Sequence, residues 1–289
     1  MNRGVFEKYA FVGAGKGYAQ RKRGENENEN ENEKGKGKGS CSAKRRRREE
    51  GGGLEAKLGK KPLRLILVGH NPSQHAWASG HYYSNPSNRM WKILRETGIA
   101  PEELVRGCED DGSMQESCGV GFIDVGVGMP GTDSSQFTTK DMATASKNFY
   151  AHLSTHLERA SESIGCLCGK CGSPKLVAFT GKKQFVELVN ADRLRLNMKK
   201  VQTVPLGPQD SRLLPQDWPF GRTDADTRVW VLTSTSGASA LTNSARIAPY
   251  ADLSAELAKI PWPLPKDEVL RCHQAPPEKE SPPTTTTSL

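Results

Sequence analysis

No run of 18 apolar residues occurs in the 289-residue chain, so the sequence offers no membrane-spanning helix. The first residues lack the apolar core of a secretory signal peptide. Glu7 and the acidic repeat that follows argue against an organellar transit peptide. Cysteine is scarce. Seven residues, odd in number and unevenly spaced, do not form a secreted disulfide framework and fit a reducing intracellular compartment. Apolar residues make up only 35% of the chain. The ends dilute that figure, and the middle keeps enough for one large domain.

Charge is abundant but misplaced for a uniformly basic protein. Residues 1–60 hold 16 Lys/Arg and 9 Asp/Glu, a net of +7 out of +8 for the whole chain. Within them GENENENENEKGKGKG (24–39) is a low-complexity run with nothing to bury. The compact cluster Lys44, Arg45, Arg46, Arg47 and Arg48 follows. Such a cluster suits phosphate contacts or a nuclear address; the plain alternative is a solvated run that aids solubility. Residues 1–60 are therefore expected to be a disordered basic tail, 61–271 the folded domain, and the Pro/Thr-rich 272–289 a second disordered tail.

Between the tails, apolar runs alternate with amphipathic stretches. Strands are predicted at 63–69, 118–127, 175–181 and 228–232. Helices are predicted at 86–97, 138–160, from Gly181 through Val189, and 249–260, with a short one begun by Pro101; residues 191–227 read as irregular. Four buried strands alternating with helices predict a three-layer α/β/α sandwich around a central, mainly parallel four-stranded sheet.

The most informative stretch is LRLILVGHNPSQHAWASGHYYSNPSNRMW (63–91). It reads as buried strand, tight Asn-Pro turn, Gly-aromatic loop and helix, and loops at the carboxyl ends of parallel strands carry the site in α/β folds. Gly69-His70-Asn71-Pro72-Ser73, then the loop Gly80 to Tyr83, then Asn88-Arg89-Met90-Trp91-Lys92 resembles the mismatch-specific uracil/thymine-DNA glycosylase branch of the uracil-DNA glycosylase superfamily. That branch reads G-[I/V]-N-P-G, an aromatic loop and N-R-F-W-K. The chain departs from it at His70 and Ser73. The resemblance extends over roughly residues 62–260.

The resemblance implies a catalytic site. Asn71 would orient the attacking water, although as a turn-capping residue it has a purely structural alternative. Gly69, His70, Pro72 and Ser73 would surround the base, with backbone N–H groups meeting its developing negative charge. Tyr83 would stack on the flipped base, and Asn88 would contribute to substrate binding. Asp124 stands where the family has Asn or Lys; its carboxylate could act on the water or the base edge, or form a buried ion pair. His70 could bring a proton donor to the base or point away. Ser236, Gly237, Ala238, Ser239 and Ala240 resemble the loop that enters the DNA minor groove. Its usual bulky residue and arginine are replaced by Ala238 and Ala240, unless Leu241 or Arg246 substitutes, which points to tolerance of single-stranded substrates.

Cys166, Cys168 and Cys171 cluster, one short of the four ligands of structural zinc. Cys108, Cys118, His152 or His156 could be the fourth, but the reading taken is a loop with reduced cysteines and no metal. The expected activity is a monofunctional DNA glycosylase that flips out uracil, mismatched thymine or a damaged pyrimidine and leaves an abasic site in base-excision repair. No motif lysine offers an amine nucleophile, and no cofactor is needed. The expected protein is a nuclear monomer, organelles being the second choice, acting on duplex or single-stranded DNA and not on membranes. A non-catalytic DNA-binding relative, or an α/β hydrolase of a nucleoside-like small molecule, are the alternatives.

Overall fold

The computed structural model describes residues 54–129, 137–222, 227–237, 240–270 and 272. Its sheet has the order β2-β1-β3-β5-β4, made from β1 (Leu65–Gly69), β2 (Val120–Asp124), β3 (Leu176–Phe179), β4 (Gly207–Pro208) and β5 (Arg228–Val231). The four long strands are parallel, as expected. The two-residue β4 pairs antiparallel with β5 at the edge, where a proline costs no ladder hydrogen bond.

The pleat explains why these strands read as continuous apolar runs. Leu65 and Leu67 of β1, Phe122 of β2, Ala178 of β3 and Trp230 of β5 pack on one face. There they meet α2 (Met90–Glu96) and α6 (Asn243–Leu257). Ile66, Val68, Ile123, Val177, Phe179 and Val231 face the other way, toward α4 (Thr139–Ser163) and α5 (Lys182–Arg195). The result is the three-layer sandwich. Shorter helices are α1 (Gln74–Ser79), α3 (Met114–Ser117) and α7 (Lys266–Val269).

Local chemistry sets the element ends. Thr138 starts α4 with a capping box: its hydroxyl accepts from the Asp141 N–H at 3.2 Å and the Asp141 carboxylate accepts from the Thr138 N–H at 2.9 Å. The last helix starts earlier than its proline suggested. Thr242 caps it at Ala245, and Pro249 sits inside α6. Burial of Tyr250, Leu253 and Leu257 offsets the lost backbone bond. Pro101 begins a turn rather than a helix: the Leu104 and Val105 N–H groups both donate to its carbonyl.

The fold also begins before Lys61. Leu54 and Leu58 are buried, and the Lys57 backbone exchanges hydrogen bonds with Phe122 at 2.8 and 2.9 Å, covering the outer edge of β2. The strand order reverses at β1, which has β2 on one side and β3 on the other. Ligands in open α/β sheets bind at such a switch point, beyond the carboxyl ends of the strands.

Candidate active site

Gly69 ends β1 directly opposite Asp124, the last residue of β2. The backbone ladder continues past both strands: the Val125 N–H donates to the Gly69 carbonyl at 3.0 Å and the Gly126 N–H to the His70 carbonyl at 2.8 Å. The two turns are thus locked together. A Cβ at Gly69 would lie 2.0 Å from Asp124 Oδ1 and 2.9 Å from the Tyr83 hydroxyl. Glycine is required there because a carboxyl and a phenol crowd the same spot. Gly126 plays a similar part, since a Cβ on it would approach the Asn71 Cβ to 3.0 Å and Phe137 to 3.3 Å.

The Asp124 carboxyl is buried, and loss of hydration pushes its pKa up from 3.8 to about 7, with the nearby His70 pulling weakly the other way. It therefore changes charge near neutral pH, the range in which a proton-transfer group is useful. The sequence left an ion pair as its alternative role, but the described salt bridges do not include Asp124.

Asn71 is half-buried, and both ends of its amide are oriented. Its Oδ1 lies 2.8 Å from His70 Nδ1, and its Nδ2 donates to the Pro72 carbonyl at 3.2 Å. Its carboxamide is thereby fixed in orientation. The His70 ring is held by its neighbours. It bridges Asn71 and Glu187 of α5, with Nε2 3.1 Å from the carboxylate, and Phe137 meets it edge-on at 5.2 Å. Ser73 caps α1, accepting from the Ala76 N–H at 3.1 Å, and Pro72 is buried beneath the turn.

Tyr83 is held in a left-handed backbone conformation, φ 52°. A non-glycine residue there stores strain of about 1–3 kcal/mol. Thr180, just past β3, donates to the Val68 carbonyl at 3.1 Å. Its single proton is thereby used, so the Tyr83 hydroxyl donates to Thr180 Oγ1, also at 3.1 Å. Burial and the Asp124 charge keep that phenol protonated. Tyr82, the other aromatic of the loop, is core: fully buried, and stacked on Phe122 with centroids 5.6 Å apart.

The aromatic loop is fastened by a buried acid. Asp111 accepts from the Tyr82 N–H at 2.7 Å and from His81 Nδ1 at 3.0 Å, and pairs with the Lys57 amine, which also donates to the Gly80 carbonyl at 3.0 Å. Neither Asp111 nor Glu187, Thr180 and Phe137 were singled out in the sequence. Only Thr180 carried a signal, as the residue before a strand-ending glycine.

On the open side, Asn88 uses its side-chain oxygen to accept from the Met90 N–H at 3.0 Å, starting α2. The second loop begins after β5 and is anchored at its base. The Thr233 hydroxyl donates to the Arg246 carbonyl at 2.6 Å, and the Tyr250 hydroxyl to the Thr233 carbonyl at 2.9 Å. The Arg89 N–H donates to the Thr235 carbonyl at 3.0 Å, and Gly237 fits closely over the Ser87 backbone. Ser236, Gly237 and Ala240 are exposed, and the Arg89 guanidinium donates to the Asn243 side chain. Ala238, Ser239 and the cluster Lys44, Arg45, Arg46, Arg47 and Arg48 lie outside the described residues. Arg246 cannot replace the missing wedge arginine, because it is 3% exposed within α6.

The arrangement supplies an oriented amide, a buried carboxyl that titrates near neutrality, a strained tyrosine and an exposed loop around one strand end. A protein-family model described as the uracil DNA glycosylase superfamily matches residues 56–258, the span that carries all of these groups within the described fold.

Proposed function

Because the chain belongs to the uracil DNA glycosylase superfamily, whose members hydrolyse N-glycosyl bonds in DNA, we propose that it excises uracil as a monofunctional glycosylase of the mismatch-specific uracil/thymine branch. The observation that carries this reading is the fixed Asn71 amide, which follows β1, together with the buried Asp124 carboxyl that ends β2 opposite Gly69. Asn71 positions the water and, having no titrating group, cannot deprotonate it. Asp124 in its carboxylate form accepts the proton as the water adds to C1′ and the base leaves. Tyr83 stacks on the flipped base, and the 233–240 loop enters the vacated duplex. His70 and Glu187 act through Asn71 as positioning residues, which is why a histidine can stand where the branch has Ile or Val.

With Ala238 and Ala240 in the loop and Arg246 buried, opposite-strand contacts are weak, so we include single-stranded DNA among the substrates. The protein acts as a monomer, and the basic cluster at 44–48 directs it to the nucleus and adds phosphate contacts. The test is alkali-revealed cleavage of oligonucleotides carrying uracil opposite guanine, opposite adenine and unpaired. Comparable cleavage of all three supports the reading. Cleavage dependent on guanine refutes the loop argument alone. DNA binding without cleavage of any pyrimidine lesion points to a non-catalytic relative, and release of uracil from free deoxyuridine to a small-molecule hydrolase.

A further inference from the structure

Four cysteines far from that site converge. Cys166, Cys168 and Cys171 lie between α4 and β3, and Cys272 follows α7, 106 residues beyond Cys166. Their sulfurs all lie within 4.8 Å of one another. The separations are 3.4 Å for Cys166–Cys168, 3.6 Å for Cys168–Cys171 and 3.7 Å for Cys166–Cys272. A disulfide needs about 2.05 Å, so these are not half-cystines. Four thiolates held about 2.3 Å from one tetrahedral ion stand about 3.8 Å apart, close to the spacing seen. A multi-iron cluster distributes its thiolates over separate metal atoms and spreads them wider. We infer that Cys166, Cys168, Cys171 and Cys272 bind a single zinc ion.

The backbone is built for this. Gly165 and Gly169 are left-handed, φ 72° and 71°, and a Cβ on either would meet nothing within 4 Å, so their conformation rather than crowding calls for glycine. At Gly172 the reverse holds: a Cβ would stand 2.4 Å from the Ser161 nitrogen. That close approach lets the Gly172 N–H donate to the Ser161 hydroxyl at 3.0 Å, while the Cys166 N–H donates to the Ser161 carbonyl at 3.0 Å. Three ligands are thereby fixed on the end of α4, and the fourth arrives from the C-terminal segment. The sequence had offered Cys108, Cys118, His152 or His156 as the fourth ligand. The structure supplies Cys272 instead and places Cys118 in the core, donating to the Met114 carbonyl at 3.4 Å.

Four protein ligands leave no open position, which marks a structural site. It also lies before β3, at the opposite end of the strand from Thr180. The ion therefore pins the segment after α7 to the α4–β3 segment, and its binding is coupled to folding.

The test is elemental analysis of the full-length chain, purified reduced and without a histidine tag. Zinc at about one atom per chain is expected, released by an organomercurial thiol reagent. Cobalt(II) reconstitution should give the visible absorption of tetrahedral cobalt thiolate. Cys272→Ser should lower zinc occupancy at least tenfold and reduce the Tm, while Cys108→Ser keeps the metal. Should Cys272→Ser fail to fold, the wild-type metal content and cobalt spectrum still decide. No stoichiometric zinc after reconstitution, iron in its place, or disulfides among the four cysteines by mass spectrometry would overturn the assignment.

Discussion

On the proposed mechanism, Asp124 ties stability to chemistry through one proton. Its folded pKa, about 7, lies above the ordinary value of 3.8, so the folded state favours the protonated acid. The associated stability is fully present below about pH 4 and is lost as pH rises through about 7, at a cost of about 4 kcal/mol. Asp124→Asn should abolish that slope and raise the Tm at pH 8, while removing the rise of kcat/KM with pH through about 7; calorimetry and a pH–rate profile check the two halves. An unchanged pH–rate profile would contradict the proton-accepting role. Gly69→Ala attacks the same place from the backbone. The new methyl would meet Asp124 Oδ1 at 2.0 Å, so a loss of about 1–3 kcal/mol is expected in urea titration together with most of the activity.

The loop between α1 and α2 owes its shape to Asp111, a buried carboxyl serving the Tyr82 N–H, His81 and Lys57. Asp111→Ala strands a partly buried amine and an amide N–H and should cost about 3–5 kcal/mol, with excision weakened because Tyr83 loses its support. A urea titration giving under 1 kcal/mol would show that the network is dispensable. Asp111 was not legible in the sequence, since its partners lie up to 54 residues away and no periodicity marks them. The same holds for Glu187, 117 residues from His70, and for Cys272. The strands were legible because burial on both faces writes itself as an unbroken apolar run, and Asn71 and Asp124 because both sit where such runs end. Helix α6 begins before the expected 249–260 because its start is set by the inconspicuous Thr242 cap.

At the scale of the molecule, the family match and the net charge lie in different parts of the chain. The family match covers residues 56–258, while +7 of the net charge lies in residues 1–60. With so little net charge in the rest of the chain, the proposed long-range attraction to phosphates falls to residues 1–60. Deleting residues 44–48 should leave single-turnover excision unchanged but flatten the dependence of log affinity on log salt by up to about 4.5 on duplex DNA. An unaltered slope would make the cluster an address only.

The measurement that tests the central claim most directly is single-turnover excision of uracil from a labelled oligonucleotide by wild type and Asn71→Ala, with binding followed in parallel. The account predicts cleavage by wild type, a loss of roughly 10²-fold or more in the variant, and nearly equal DNA affinity for the two. Equal rates would contradict the role given to Asn71, and no cleavage by wild type despite tight binding would contradict the glycosylase itself.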